Sequence, residues 1–219
     1  LLAEAWLLQG DAKRALAEAA KADPKFGAYA TRVTARALAA QGKAAEAQAL
    51  LGELLGGNPG NSYAWSDLAR IRYSAGDLAG ASGNAQKAVE LDPNNLEALT
   101  LRGELVREQY GLNAALPWFE AALQRDAYYH PALIEYAATL GDLGRYTDML
   151  RATRSALAAR PASPQAFYLQ AVLAARAENY DLARSLMERT GGRIDDLPGA
   201  LLLNGTLAYQ AGAYEQAIG

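Results

Sequence analysis

Residue classes in this chain recur every 34 positions. A period of that length admits few folds, because each repeat is one supersecondary unit that buries its apolar face only by stacking on its neighbours. The starts run Ala28, Ser62, Leu96, His130, Pro164 and Pro198. With each taken as position 1, position 8 is always small: Ala35, Ala69, Gly103, Ala137, Ala171 and Gly205. Position 20 reads Ala47, Ala81, Ala115, Met149, Ala183 and Ala217, and position 27 reads Leu54, Ala88, Ala122, Ala156 and Thr190. Small residues at fixed points bring two helix backbones close together, where a larger side chain would add about 1–3 kcal/mol of strain. Position 4 holds Thr31, Trp65, Leu99, Leu133, Phe167 and Leu201, mostly knobs for the space that the small positions open.

The punctuation recurs as well. Position 15 is Gly42, Gly76, Tyr110, Gly144, Glu178 and Gly212, and a glycine there can take the left-handed conformation that closes a helix. Position 32 is Pro59, Pro93, Ala127, Pro161 and Asp195, which stops a second helix and turns the chain. Each unit is predicted as helix, Gly turn, helix, Pro turn, with helices of about 13 residues, or roughly 20 Å.

These columns resemble the tetratricopeptide repeat, a helical hairpin of the same period. Residues 62–95 match best, through Ala64-Trp65, Leu68, Gly76-Asp77, Ala81, Ala88 and Leu91-Asp92-Pro93-Asn94-Asn95. The resemblance covers essentially the whole chain. It implies an all-α, right-handed superhelical solenoid of antiparallel helix pairs. The expected organisation is one solenoid over 1–219, with full repeats at 28–61, 62–95, 96–129, 130–163 and 164–197 and partial ones at 1–27 and 198–219. Position 11, usually aromatic in the family, reads Leu38, Arg72, Val106, Leu140, Ala174 and Ala208, a drift typical of a natural array.

Several spots depart from the pattern. In residues 1–27, Gly10 sits at the turn and Pro24 arrives about three residues early, so either the second helix there is nearly a turn short or its exit loop differs. Pro117 falls inside a second helix; with Asn113 as N-cap it would remove only a first-turn hydrogen bond and kink the helix mildly. Tyr128-Tyr129 either cover an inter-repeat turn or present an aromatic patch to a partner. Gly191-Gly192 reads as a helix C-cap, since the Gly-x-x-x-x-Gly-Lys-Ser/Thr pattern of a phosphate loop is absent.

Composition bounds the function. A net charge of −3 lacks the basic field of a general nucleic-acid binder. No run reaches 18 apolar residues, so no direct membrane insertion is expected. The absence of cysteine excludes disulfides, thiolate catalysis and cysteine-ligated metals, and leaves the compartment open between cytoplasm and periplasm. The chain starts within a helical pattern and ends early in another, at Tyr214–Gly219, so a fragment of a longer protein is expected.

Catalytic chemistry needs a nucleophile, an acid/base pair or a metal in convergent geometry. The single histidine, His130, precedes a proline at a helix start and is expected at the surface. Glu104 and Glu108 lie one turn apart, a spacing that suits a cation or an acid/base pair. A solvated helix face is the expected reading, with Arg102 and Arg107 nearby to neutralise the pair. The chain is therefore expected to be no enzyme and to carry no cofactor, no metal and no catalytic residue.

In the resembling family the first helix of each hairpin lines a concave channel, chiefly through positions 2, 5, 9, 12 and 13. Transferred residue by residue, the candidate groove is zoned. Tyr29, Arg32, Arg36, Tyr63, Arg70 and Tyr73 make an Arg/Tyr-rich part, Glu97, Glu104 and Glu108 an acidic part, and Tyr168, Val172, Leu202 and Tyr209 a more apolar part. An extended peptide or a helix could lie along it, with acidic groups near Arg32, Arg36 and Arg70. The Lys/Asn clamp that holds a terminal carboxylate in chaperone-binding members is absent, as is the position-6 asparagine ladder of a glycosyltransferase class.

The leading expectation is a non-enzymatic protein-interaction scaffold that binds a peptide or helix of a partner in the groove. Its Ala-, Leu- and Arg-rich style resembles bacterial proteins of cell-envelope and polysaccharide-export assemblies. The alternative is a targeting module of a larger enzyme whose catalytic domain lies outside the segment. A third reading is self-association through truncated solenoid ends.

Overall fold

The computed structural model describes residues 1–213 and forms thirteen α-helices among them. Chain contacts divide the protein into two compact units that meet in sequence at Gly111 and Leu112.

The first unit holds α1 (Leu2–Leu8), α2 (Ala12–Ala19), α3 (Gly27–Ala40), α4 (Ala44–Gly57), α5 (Ser62–Ser74), α6 (Leu78–Leu91) and α7 (Leu96–Tyr110). The second holds α8 (Leu112–Arg125), α9 (His130–Asp142), α10 (Tyr146–Ala159), α11 (Pro164–Arg176), α12 (Tyr180–Glu188) and α13 (Pro198–Gln210). Within each unit most connections are short turns, which make consecutive helices antiparallel neighbours. The second helix of 1–27, α2, has eight residues where α4 and α6 have fourteen. The second helix expected over Tyr214–Gly219, with Ala217 at position 20, lies outside the described residues.

The small columns are where the helices meet. Ala35, Ala69, Ala137 and Ala171 at position 8 are fully buried, as are Ala47, Ala81, Ala115 and Ala183 at position 20. Leu99, Leu133 and Phe167 at position 4 are also buried, whereas Leu201 is 58% exposed. Leu133 is covered by Ala156 and Ala166.

Two turns depart from the glycine rule. Gly42, Gly76, Gly144 and Gly212 take φ between 74° and 82°, and Glu178 takes φ 59° in their place. In the third full repeat α7 runs on through Tyr110, and Gly111 turns the chain at φ 90°. The Pro117 expectation is corrected. Helix α8 begins at Leu112 rather than after an Asn113 cap, so Pro117 lies beyond the first turn and leaves the Asn113 carbonyl without its helical donor.

Within each unit the first helices touch their next-but-one neighbours: α1 with α3, α3 with α5 and α5 with α7, then α9 with α11 and α11 with α13. Among the described residues the second helices make no such contacts. The first helices thus form the tighter layer of each hairpin stack, which is the inner side of a curved one. No helix among the described residues is long and apolar enough to cross a membrane.

Candidate functional site

The candidate groove residues of the first unit lie on α3, α5 and α7, and their side chains reach across helices. Arg32 donates from Nε to Asp67 at 2.6 Å and from a terminal nitrogen to Glu97 at 3.2 Å, and its guanidinium lies 4.9 Å from the centre of the Tyr63 ring. Arg36 donates to Glu4 at 3.0 Å and approaches Asp67 at 4.0 Å. Tyr29 donates its hydroxyl proton to Glu4. Arg70 grips Glu104 with both terminal nitrogens, at 2.5 and 2.8 Å. Tyr73 lies near Glu108, which helps to raise its pKa. One network therefore runs over α1, α3, α5 and α7 through Glu4, Tyr29, Arg32, Arg36, Tyr63, Asp67 and Glu97, and the Arg70–Glu104 pair bridges α5 and α7 further along.

Two expectations are corrected here. Glu104 is not on a solvated face: it is 8% exposed and held by Arg70. Arg102, expected beside it, donates instead to Ser82 on α6 at 2.7 Å. The basic zone is likewise not a set of open donors, since Arg32, Arg36 and Arg70 already bind the chain's own carboxylates.

The electrostatics follow from burial and pairing. Asp67 is 5% exposed, and burial pushes its carboxyl up to about 6 against the pull of Arg32 and Arg36. Burial also acts on Glu4, but the hydrogen bonds from Tyr29 and Arg36 outweigh it and hold this carboxyl below its ordinary value. Tyr29 is pushed up to about 12 by burial and by its bond to Glu4. Burial and Glu108 likewise raise Tyr73.

In the second unit the candidates are apolar and less enclosed. Tyr168 and Val172 on α11 are half-buried against the core around Phe167 and Leu203. The Tyr168 hydroxyl lies over Gly199 of α13, where an added β-carbon would collide with it. Burial, and then Asp142, raise the pKa of Tyr168. Leu202 and Tyr209 on α13 are 74% and 61% exposed. Tyr128 is exposed and Tyr129 half-buried, so this pair divides between the two readings given to it.

His130 corrects a further expectation. It is 8% exposed, not a surface residue, and its Nε2 shares a hydrogen bond of 2.8 Å with Ser163 Oγ. Burial and the nearby Arg160 push its pKa down to about 4, so the ring is neutral at pH 7. The first unit repeats the device in the same two columns, two repeats earlier. Asn95 donates to Ser62 at 2.7 Å and Ser66 at 3.1 Å while capping α7 through Ala98. Position 1 is thus bonded to the residue that precedes the next repeat. The spacing of Ser62 and Asn95, equal to that of His130 and Ser163, was the available signal.

The sequence matches models of the tetratricopeptide repeat over residues 38–105 and 137–192, together more than half of the chain. No curated protein matches it by sequence. Among solved structures, the APC/C hetero-tetramer Cut9–Hcn1 is similar with a TM-score of 0.84 at 14% identity, over 99% of this chain and 43% of that one. PilW, described as a widely conserved type IV pilus biogenesis factor, is similar with a TM-score of 0.72 at 20% identity, over 87% and 89%. YrrB, described as a TPR protein with an unusual peptide-binding site, is similar with a TM-score of 0.54 at 19% identity, over 85% and 92%. Identities at this level speak to the fold.

Proposed function

Because the chain belongs to the tetratricopeptide repeat family, we propose that it is a non-enzymatic scaffold that holds a peptide or helix of a protein partner along its layer of first helices. The observation that carries this reading is the next-but-one packing of those helices. It supports a binding row to which α5 and α7 of the first unit contribute Tyr63, Tyr73, Glu97 and Glu108, and α11 and α13 of the second contribute Tyr168, Val172 and Leu202. Tyrosines supply contact area at low entropic cost, and a row of short helices offers regularly spaced subsites. The peptide-binding description of YrrB supports the occupant, and the pilus-biogenesis description of PilW supports a place in a bacterial envelope assembly.

The test is selection of ligands from a random-sequence phage-displayed peptide library on the immobilised chain. Each ligand is then measured against Tyr63→Ala/Tyr73→Ala and Leu202→Asp. Ligands that lose about tenfold or more in affinity to either variant, about 1.4 kcal/mol, support the reading. Ligands indifferent to both variants refute it.

A further inference from the structure

We propose that the α5–α7 face of the first unit receives a cationic segment, a stretch of a partner bearing lysine or arginine, and does not receive an acidic one. This names the chemistry of the ligand and rests on the groove reading above.

The groove arginines are answered from within. Arg32 pairs first with Asp67 at 2.6 Å, Arg36 with Glu4 at 3.0 Å, and Arg70 with both oxygens of Glu104. An acidic ligand would have to displace carboxylates that the fold already holds at hydrogen-bond distance, a competition against very high effective concentration. The Arg32 and Arg36 side chains are also turned inward, at 11% and 28% exposed, whereas that of Arg70 is 45% exposed and committed through both terminal nitrogens to Glu104.

Carboxylate remains in excess on α7. Glu97, Glu104 and Glu108 follow one another along one side of that helix, over about 16 Å at 1.5 Å per residue. Glu104 is satisfied by Arg70. Glu97 receives only the second bond of an arginine whose closer partner is Asp67, at 3.2 Å and through one oxygen, and its side chain is 38% exposed. Glu108 is exposed and lies near Tyr73, with Arg107 next to it in sequence.

A second observation points to the same ligand. Arg32 lies over the Tyr63 ring while bonding Glu97, so the fold itself holds a guanidinium between an aromatic face and a carboxylate. Tyr63 is still 41% exposed. Tyr73 and Glu108 pair the same residue types on the same two helices, ten and eleven residues further along. An aromatic ring beside a carboxylate favours a cation by both its quadrupole and its charge.

Fluorescence anisotropy with three labelled peptides tests this on the whole chain: alternating lysine and alanine, alternating glutamate and alanine, and alternating serine and alanine. The lysine peptide should bind, weaken as salt is raised, and lose about tenfold in affinity with Glu97→Gln/Glu108→Gln. Circular dichroism melts of parent and variant should coincide, which separates lost recognition from lost folding. The proposal is overturned if the lysine peptide does not bind, if the glutamate peptide binds more tightly, or if the double variant leaves lysine-peptide affinity unchanged. Acidic or neutral library ligands that still depend on Tyr63 and Tyr73 would sink this inference and leave the groove reading standing. Library ligands indifferent to every groove substitution would sink both.

Discussion

Glu178 holds a backbone conformation that glycine holds at the equivalent turn of four other repeats. A β-carbon in the left-handed region costs roughly 1–2 kcal/mol. Glu178 is exposed, so no packing is lost on its removal. Glu178→Gly should therefore raise stability by about 1 kcal/mol, read as a higher urea midpoint at unchanged slope. His130 makes the opposite kind of statement. Its folded pKa, about 4, lies below the ordinary 6.5, so the unfolded chain takes up a proton first. Stability is fully present above pH 6.5 and is lost as pH falls toward 4, by up to about 3 kcal/mol. Urea titrations at several pH values should show this loss in the parent and a shallower one in His130→Ser, which keeps a hydroxyl partner for Ser163. Equal pH slopes in the two proteins would show that His130 is not the group responsible.

At the scale of the helix, Pro117 interrupts α8 without ending it. It is exposed, so its cost is the missing hydrogen bond and the ring's clash with the preceding turn rather than any packing. Pro117→Ala should stabilise by about 1–3 kcal/mol, measured by thermal or chemical denaturation. Asn95→Ala should cost about 1–3 kcal/mol, since it removes the cap of α7 and the amide donor to the buried Ser62 and Ser66 hydroxyls, which keep their bonds to the Ala88 and Ser62 carbonyls. The helices and their contacts were legible in the sequence because small residues at positions 8 and 20 leave little choice of what packs where. The groove's charge state was not. Arg32, Arg70 and Glu104 were readable as groove positions, but which carboxylate meets which arginine depends on the offset between adjacent helices. A column read down the repeats does not contain that offset. Asp67 shows the limit: at position 6 it registered only as a missing asparagine, yet it is buried between two arginines. His130 misled for a similar reason, because the polar partner of its buried ring is the hydroxyl of Ser163, 33 residues away.

At the scale of the molecule, helices within each unit contact their immediate neighbours in the chain, and the first helices also contact the first helix of the next hairpin. Stability of such an array is close to a sum over adjacent units. Leu101, 1% exposed in the core of the first unit, should cost about 2–5 kcal/mol when truncated to alanine. Hydrogen exchange should show the loss concentrated in amides of Leu1–Gly111. Uniform loss over all described residues would indicate a single cooperative block instead.

The cross-helix ion pairs bear on how such a chain can change length. Excising residues 62–95 would keep every hydrophobic column in register, because a whole period is removed. Leu101 would then stand in the position-6 place of Asp67, and Arg32 would lose its nearest carboxylate. Glu104 would fall opposite Arg36, since both occupy position 9 as Arg70 does, and a pairing would survive there. The units are therefore interchangeable in their apolar surfaces but not in their charges. A gene that grew by duplicating such units could shed or copy this one only after its neighbours had changed, so the order of the repeats is itself inherited information.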